Sequence, residues 1–390
     1  MGPCDAAAMA KPIAALAPPA RLLCGPGPTN VDPSALAAMG KPMLGHLDPA
    51  FHAILDEVVA MLAEVYRARD GIVLPLQSTG TSGMEAGIVN LVEPGDTVIV
   101  AVSGYFGARI AEMARRQAAS VVEVAEEWGR HVPNERLLDA LERNPGARLM
   151  AVVHGETSTG VRHPLAELGE ALRDSDTLLM ADCVTTLGGV RIDFDEWGID
   201  YAYSCTQKCL GAPPGMSPLA VSSRALERVE TRTHPVPYSL DLRLLRGYWI
   251  DRPAAYHHTA PILHVYALHE VLRQTLAEGV EQRWARHERA GRRFAAGAEE
   301  SGLGVLAEAG HRLPPLTAVR VPEGVDGKDV QRQLLAAEGM EVGGGLGAAT
   351  PPIWRIGLMG PNATEAMADR VLAALTTVLD EQRVPASAAP

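Results

Sequence analysis

The stretch Ser204–Met216, SCTQKCLGAPPGM, sets a lysine where an amine could act as a nucleophile. A short apolar run from Ile199 to Tyr203 reads as a buried strand and delivers Lys208 near its end. Gly211, Pro213, Pro214 and Gly215 follow in a loop too turn-rich to continue strand or helix. An amine fixed there can form an imine with an aldehyde if it is desolvated or held near a positive partner. Taken alone, the stretch equally describes an ordinary solvated lysine. Other residues decide between the two.

Thr79, Gly80 and Thr81 lie in QSTGTSGMEAG, small and polar, between a strand and an apolar-periodic helix. Backbone N–H groups and hydroxyls at a helix start can hold a phosphate, and an ordinary capped turn has the same composition. Neither a G-x-G-x-x-G nor a G-x-x-x-x-G-K pattern occurs there, which disfavours a dinucleotide or P-loop site. Thr157, in HGETSTG, follows the strand that ends at His154. Asp182 ends another apolar strand, as either a helix cap or a carboxylate beside a heteroaromatic nitrogen. Phosphate cradle, carboxylate and lysine in that order on one sheet edge are what pyridoxal phosphate (PLP) requires: the lysine carries the aldehyde and the carboxylate keeps the ring nitrogen protonated. Arg355, flanked by Trp354, Ile356 and Leu358, can grip a substrate carboxylate through two parallel hydrogen bonds.

The elements that must position these groups alternate. Helix-spaced apolar residues mark 49–66, 84–91, 106–117, 134–142 and 165–172, with Asn134 expected as an N-cap. Strands are expected at 72–76, 97–102, 120–124, 149–154, 177–181, 201–204 and 218–222. This alternation over about 200 residues predicts an α/β fold with a mostly parallel, doubly wound sheet, whose ligands bind at the carboxyl ends of the strands. After about His264 the pattern changes. Helices are expected at 264–278 and 280–301, stopped by Gly279 and Gly302, then strands at 317–321 and 353–358 with helices at 329–337 and 364–380. Asn362 with Glu365 resembles a capping box. The division drawn is a large unit over 21–278 and a smaller α+β unit over 279–382, with disordered tails at 1–20 and 383–390.

The net charge of −12 argues against a nucleic-acid partner. No apolar run approaches the ~20 residues of a membrane span. The five cysteines are odd in number and unpaired in spacing, which fits free thiols in a reducing cytoplasm better than a zinc site. Pro12, Pro18 and Pro19 interrupt any signal-peptide core, and Ala6 stands where a myristoylation signal wants Ser or Thr. His257 and His258 are adjacent, and neighbouring side chains on a regular element point apart, so no metal site is expected there.

Taken in order, GPGPTNVDP, PMLGH, STGTSGMEA, SGYFGAR, HGETSTGV, ADCVTTLGG, SCTQKCLGAPPG, AYHHTAP, GGGLG and WRIGLMGPNAT resemble the class V aminotransferases. These are PLP enzymes of fold type I, and the resemblance runs from about Leu22 to Leu379. Within them the chain most resembles the alanine–glyoxylate and serine–glyoxylate/serine–pyruvate group. The resemblance implies Lys208 as the cofactor-binding lysine and Asp182 as partner of the ring nitrogen. It implies Thr79, Gly80, Thr81 and Gln207 around the phosphate, Thr157 beside the phenolic oxygen, and Val184 and Phe106 on the two ring faces. Phe106 departs from the tryptophan common in relatives, and Thr81 stands where some carry histidine. Tyr256 and Thr259 would reach the phosphate from a second subunit, which implies a homodimer with shared sites, and Arg355 would bind the substrate carboxylate. The implied reaction moves an amino group from alanine or serine to glyoxylate or pyruvate. A lyase or desulfurase on the same cofactor and a catalytically silent subunit are the rival readings.

Overall fold

The computed structural model describes residues 14–347 and 350–383. Of the expected tails, 1–13 and 384–390 lie outside the described residues, while 14–20 run as exposed irregular chain. The large unit opens with β1 (Leu22–Leu23), α1 (Pro33–Met39), α2 (Pro49–Tyr66), β2 (Ile72–Gln77) and α3 (Gly80–Leu91). Next come β3 (Thr97–Val102), α4 (Tyr105–Arg116), β4 (Ser120–Ala125), α5 (Asn134–Arg143) and β5 (Ala147–Val153). A two-strand ribbon, β6 (Gly155–Glu156) and β7 (Val161–Arg162), precedes α6 (Ala166–Leu172), β8 (Leu178–Asp182), β9 (Tyr201–Tyr203) and β10 (Met216–Val221). Helices α7 (Ser223–Thr231), α8 (Leu242–Trp249) and α9 (Ile262–Glu278) lead out. The part expected as a smaller unit holds α10 (Val280–Glu300), β11 (Leu316–Arg320), α11 (Gly327–Glu338), β12 (Met340–Glu341), β13 (Gly343–Gly344), β14 (Ile353–Gly357) and α12 (Glu365–Arg383).

Local chemistry explains the element boundaries. Asp48 caps α2 by accepting from Ala50 N–H, with Pro49 at the first helical position, where its missing donor costs nothing. Phe51, Leu55, Val58 and Leu62 recur on one α2 face and are fully buried, each worth about 1.5–3 kcal/mol relative to exposure. Asp326 caps α11 and Gly339 ends it in the left-handed conformation. Two expected caps belong to other residues. Asn134 is the first residue inside α5, and its side chain donates to Glu167 and meets His163. Asn362 bonds Leu23 O and Asn30, and Thr364 Oγ1 accepts from Met367 N–H at the start of α12.

The seven-stranded sheet runs in the order β2-β10-β9-β8-β5-β3-β4. β3, β4, β5, β8 and β9 pair in parallel, and β10 is antiparallel to both β2 and β9. Six strands therefore point their carboxyl ends to one edge. A second core gathers Phe294, Val319, Trp354 and Leu375 with Cys24. Leu22 and Leu23 pair in parallel with Met340 and Glu341, and Cys24 packs there too, so the stretch after residue 21, drawn into the large unit, serves the small one.

Candidate active site

The parallel register puts the chemistry on one edge. Asp182 ends β8 opposite Val153 of β5 and Tyr203 of β9. Thr79 precedes α3 after β2, Phe106 opens α4 after β3, and Thr157 follows β5. One cavity is lined by Thr79, Gly80, Thr81, Phe106, Thr157, Asp182, Val184, Gln207 and Lys208, with Met84, Arg109 and Cys205. A separate cleft, lined by apolar Ala38, Leu44 and Ile54 and by charged Lys41, Glu57 and Glu270, holds none of these groups.

Lys208 is 8% exposed. Its Nζ donates to Pro26 O, so the GPGPTN segment forms a wall of the site. Gly27, at φ +111°, lies so close that an added Cβ would sit 2.6 Å from Lys208 Cε. Behind the lysine, Arg283 of α10 donates to the Gly188, Cys209 and Leu210 carbonyls and pins the turn. Burial lowers the Lys208 amine below its ordinary value, which favours the neutral, nucleophilic form.

Asp182 is buried, and burial pushes its carboxyl up to about 6, against hydrogen bonds from Tyr203 and Val184 that favour the anion. Tyr203 O–H donates to Oδ2 at 2.6 Å and Val184 N–H to Oδ1 at 2.8 Å. A carboxylate kept from water this way is stabilised by a cationic N–H placed against it.

The α3 start is open to a ligand. Thr79, the residue before α3, makes no side-chain cap bond, and its carbonyl already accepts from Ser82 N–H and Gly83 N–H, so the Gly80 and Thr81 N–H groups are the ones left to a ligand. A Cβ on Gly80 would sit 3.1 Å from Val184 Cγ2 and 3.3 Å from Cys205 Cβ, which is how closely the helix start approaches the cavity wall. Gln207 Oε1 is buried without a partner. A phosphorylated pyridine aldehyde fits these features: the helix-start N–H groups and the Gln207 amide N–H₂ can donate to the phosphate, Lys208 can take the aldehyde and Asp182 the ring nitrogen. Thr157 Oγ1 lies 2.5 Å from Thr185 Oγ1, at the same wall.

Three expected residues do not line this cavity. Arg355, on β14, lies behind the Thr157 wall: it is 8% exposed, its Nε donates to Gly344 O at 2.6 Å, and its Nη1 lies 3.5 Å from Thr157 O. Burial lowers its guanidinium to about 10, still charged at neutral pH. Tyr256 is 64% exposed and Thr259 is also exposed, on the irregular segment after α8. His257 and His258, expected to point apart, turn toward each other instead, with their Nδ1 atoms 2.7 Å apart, because that segment is neither strand nor helix.

Sequence reasoning missed Glu156. It is fully buried, and its carboxylate accepts from Phe106 N–H, Gly107 N–H, Ser158 N–H and Ser158 O–H. It thereby caps α4 from β6 and fixes the backbone that carries Phe106. The signal was a glutamate inside HGETSTG, a motif read only for its threonine. His131, Glu308 and His311 place donor atoms within 4.8 Å of one another where the two units meet. The two rings stack in parallel, 3.5 Å between centroids, and His131 Nδ1 is already bonded to Glu308 at 2.6 Å. Parallel ring planes keep the nitrogen lone pairs side by side instead of converging on one ion.

The family model described as aminotransferase class-V matches residues 34–364. A (S)-ureidoglycine–glyoxylate transaminase of Bacillus subtilis (strain 168) is 36% identical over 383 residues, covering 93% of this chain and 92% of that one. An alanine–glyoxylate aminotransferase of Drosophila melanogaster is 36% identical over 371 residues, covering 94% of each. The crystal structure of an alanine–glyoxylate aminotransferase from Nostoc sp. superposes with a TM-score of 0.92 at 45% identity, over 97% of this chain and all of that one.

Proposed function

The chain belongs to the class V aminotransferases, and on that premise we propose that it moves the amino group of a small L-amino acid, alanine or serine, to glyoxylate or pyruvate. It is a transaminase, and its cofactor is pyridoxal 5′-phosphate. The observation that carries the reading is the buried Lys208 amine and the buried Asp182 carboxylate sharing one cavity with the open start of α3. Two relatives of equal identity are named for different amino donors and the same acceptor, glyoxylate, so glyoxylate is the first acceptor to test.

When bound, the cofactor supplies an electron-withdrawing pyridinium that acidifies the substrate's Cα–H. Asp182 accepts the ring N–H and holds that nitrogen protonated. Lys208 Nζ, kept neutral by burial, takes up the α-proton and returns it. Arg355 pairs with the substrate carboxylate and fixes which bond at Cα is presented. Thr79, Gly80, Thr81 and Gln207 would hold the phosphate, Thr157 would serve the phenolic oxygen, and Val184 and Phe106 would enclose the ring. The keto acid leaves before the acceptor enters, which gives ping-pong kinetics.

Tyr256 and Thr259 serve the site of a second copy in a homodimer. Leu36 (56%), Met43 (70%), Leu47 (49%), Tyr238 (64%) and Tyr256 (64%) are exposed large apolar side chains that such a copy would cover. No described helix is long and apolar enough to cross a membrane. The four described cysteines are buried free thiols, in keeping with a cytoplasmic enzyme. A desulfurase draws no support from them, since burial pushes Cys205 and Cys209 up to about 12 and Cys183 higher still.

The test is a donor panel of alanine, serine and ureidoglycine with glyoxylate, scored by glycine formed. Glycine from alanine or serine is expected. Glycine from ureidoglycine alone would move the donor assignment, and none from any donor would overturn the reading.

A further inference from the structure

Arg109 stands one helical turn after Tyr105 on α4 and lines the same cavity. Its guanidinium carbon lies 4.9 Å from the Tyr105 ring centroid and 5.0 Å from that of Phe106. Its Nη1 is 3.3 Å from Thr81 Oγ1, in the first turn of α3. The ion pairs among the described residues do not include it. Two aromatic faces and one hydroxyl therefore hold a cation beside the open helix start with no anion assigned to it.

A phosphate monoester carries roughly −1.5 to −2 charges near neutral pH, and a helix N-terminus offers only about half an elementary charge in return. Thr79, Thr81 and Gln207 are neutral. The other cation lining the cavity is Lys208, whose amine is committed to the aldehyde and the α-proton. We infer that Arg109 is the counter-charge for the cofactor's phosphate, its guanidinium donating to a phosphate oxygen seated on the first turn of α3 while Phe106 and Tyr105 fix the guanidinium plane. Nothing in the family's implied site includes this residue, and the inference rests on the reading that the phosphate sits at Thr79–Thr81. The same stacking would couple phosphate binding to the set of Phe106, the side chain read as one face of the ring slot.

The experiment compares dissociation constants of pyridoxal 5′-phosphate and of pyridoxal, which lacks the phosphate, for the cofactor-free full chain, by absorbance and tryptophan fluorescence. The proteins are the wild type, Arg109→Gln, Arg109→Lys and, as the reference for phosphate placement, Thr79→Val. Arg109→Gln is expected to weaken the phosphorylated ligand roughly 10- to 100-fold, the scale of a lost charge-assisted hydrogen bond, and to leave pyridoxal unchanged. Arg109→Lys should recover part of the loss, because it keeps the charge but not the planar fork. The inference is overturned if Arg109→Gln binds both ligands as the wild type does while Thr79→Val selectively loses the phosphorylated one. It is equally overturned if Arg109→Gln weakens both ligands alike, since the arginine would then act only by propping Phe106. If Thr79→Val also leaves the ratio of the two constants untouched, the phosphate does not sit on α3, and the placement and the inference fall together.

Discussion

Lys208 and Asp182 are both withdrawn from water, and the same cause moves their proton affinities toward each other: the amine downward, the carboxyl up to about 6. In cofactor-free protein the Asp182 anion is therefore costly, and a cationic ring N–H is what offsets that cost. Replacing Asp182 by Asn keeps the shape and the Tyr203 contact but removes the charge that holds the ring nitrogen protonated. The expected outcome is a fall in kcat on the order of 10²–10³, with cofactor still bound, read by rapid mixing with alanine. A near wild-type rate would remove Asp182 from its role. At this scale the sequence was most legible, because Lys208, Asp182 and the Thr79–Thr81 turn each carry a residue type whose chemistry is narrow, and nine of the expected residues line one cavity. Glu156 was not legible. A glutamate is ordinarily solvated, and only the fold reveals that this one is buried among backbone donors.

The elements around the site act as levers on it. Helix α4 begins where the Glu156 carboxylate receives the N–H groups of Phe106 and Gly107, so one buried side chain fixes both the helix start and the backbone of Phe106, the residue proposed for one ring face. Glu156→Gln turns one acceptor oxygen into a donor that faces either those N–H groups or Ser158 N–H, at a cost of about 1–3 kcal/mol. The variant should melt several degrees lower by calorimetry and hold the cofactor more weakly, because the backbone that carries Phe106 is no longer fixed. Unchanged melting and unchanged cofactor affinity would show that the cap is dispensable. Helix α2 was legible to the residue from its periodicity and β3 from its unbroken apolar run. The stretch from Ser223 to Pro261 was not. Its helices α7 and α8, nine and eight residues long, were not expected. The reversed direction of β10 and the pairing of β1 with β12 escaped as well: partner and direction are tertiary facts that an apolar run does not encode.

At the scale of the whole molecule, three buried histidines are held neutral. His287 accepts from Gly360 N–H at Nε2 while its Nδ1 bonds Arg283 O, which ties α10 to the segment after β14. Burial depresses His154, His163 and His287 to about 3 each. Their unfolded value is near 6.5, so between about 3 and 6.5 the unfolded chain binds more protons. Stability is thus complete above about 6.5 and falls by about 1.4 kcal/mol per pH unit for each histidine as the solution is acidified. Asp182 and Glu156, both raised by burial, work the other way and are outnumbered. The urea midpoint of the cofactor-free chain should therefore drop between about pH 7 and about pH 5, and a flat or rising midpoint would contradict the neutral assignment. The central claim, that Lys208 holds the cofactor and that amino groups pass through this cavity to glyoxylate, is tested most directly in one cuvette. The purified protein, saturated with pyridoxal 5′-phosphate, is scanned in the visible, then given L-alanine, then glyoxylate, with Lys208→Ala alongside. A visible band that alanine bleaches and glyoxylate restores, and that the variant lacks, is the predicted result; a protein with no such band at saturating cofactor, or a variant that cycles like the wild type, would contradict it.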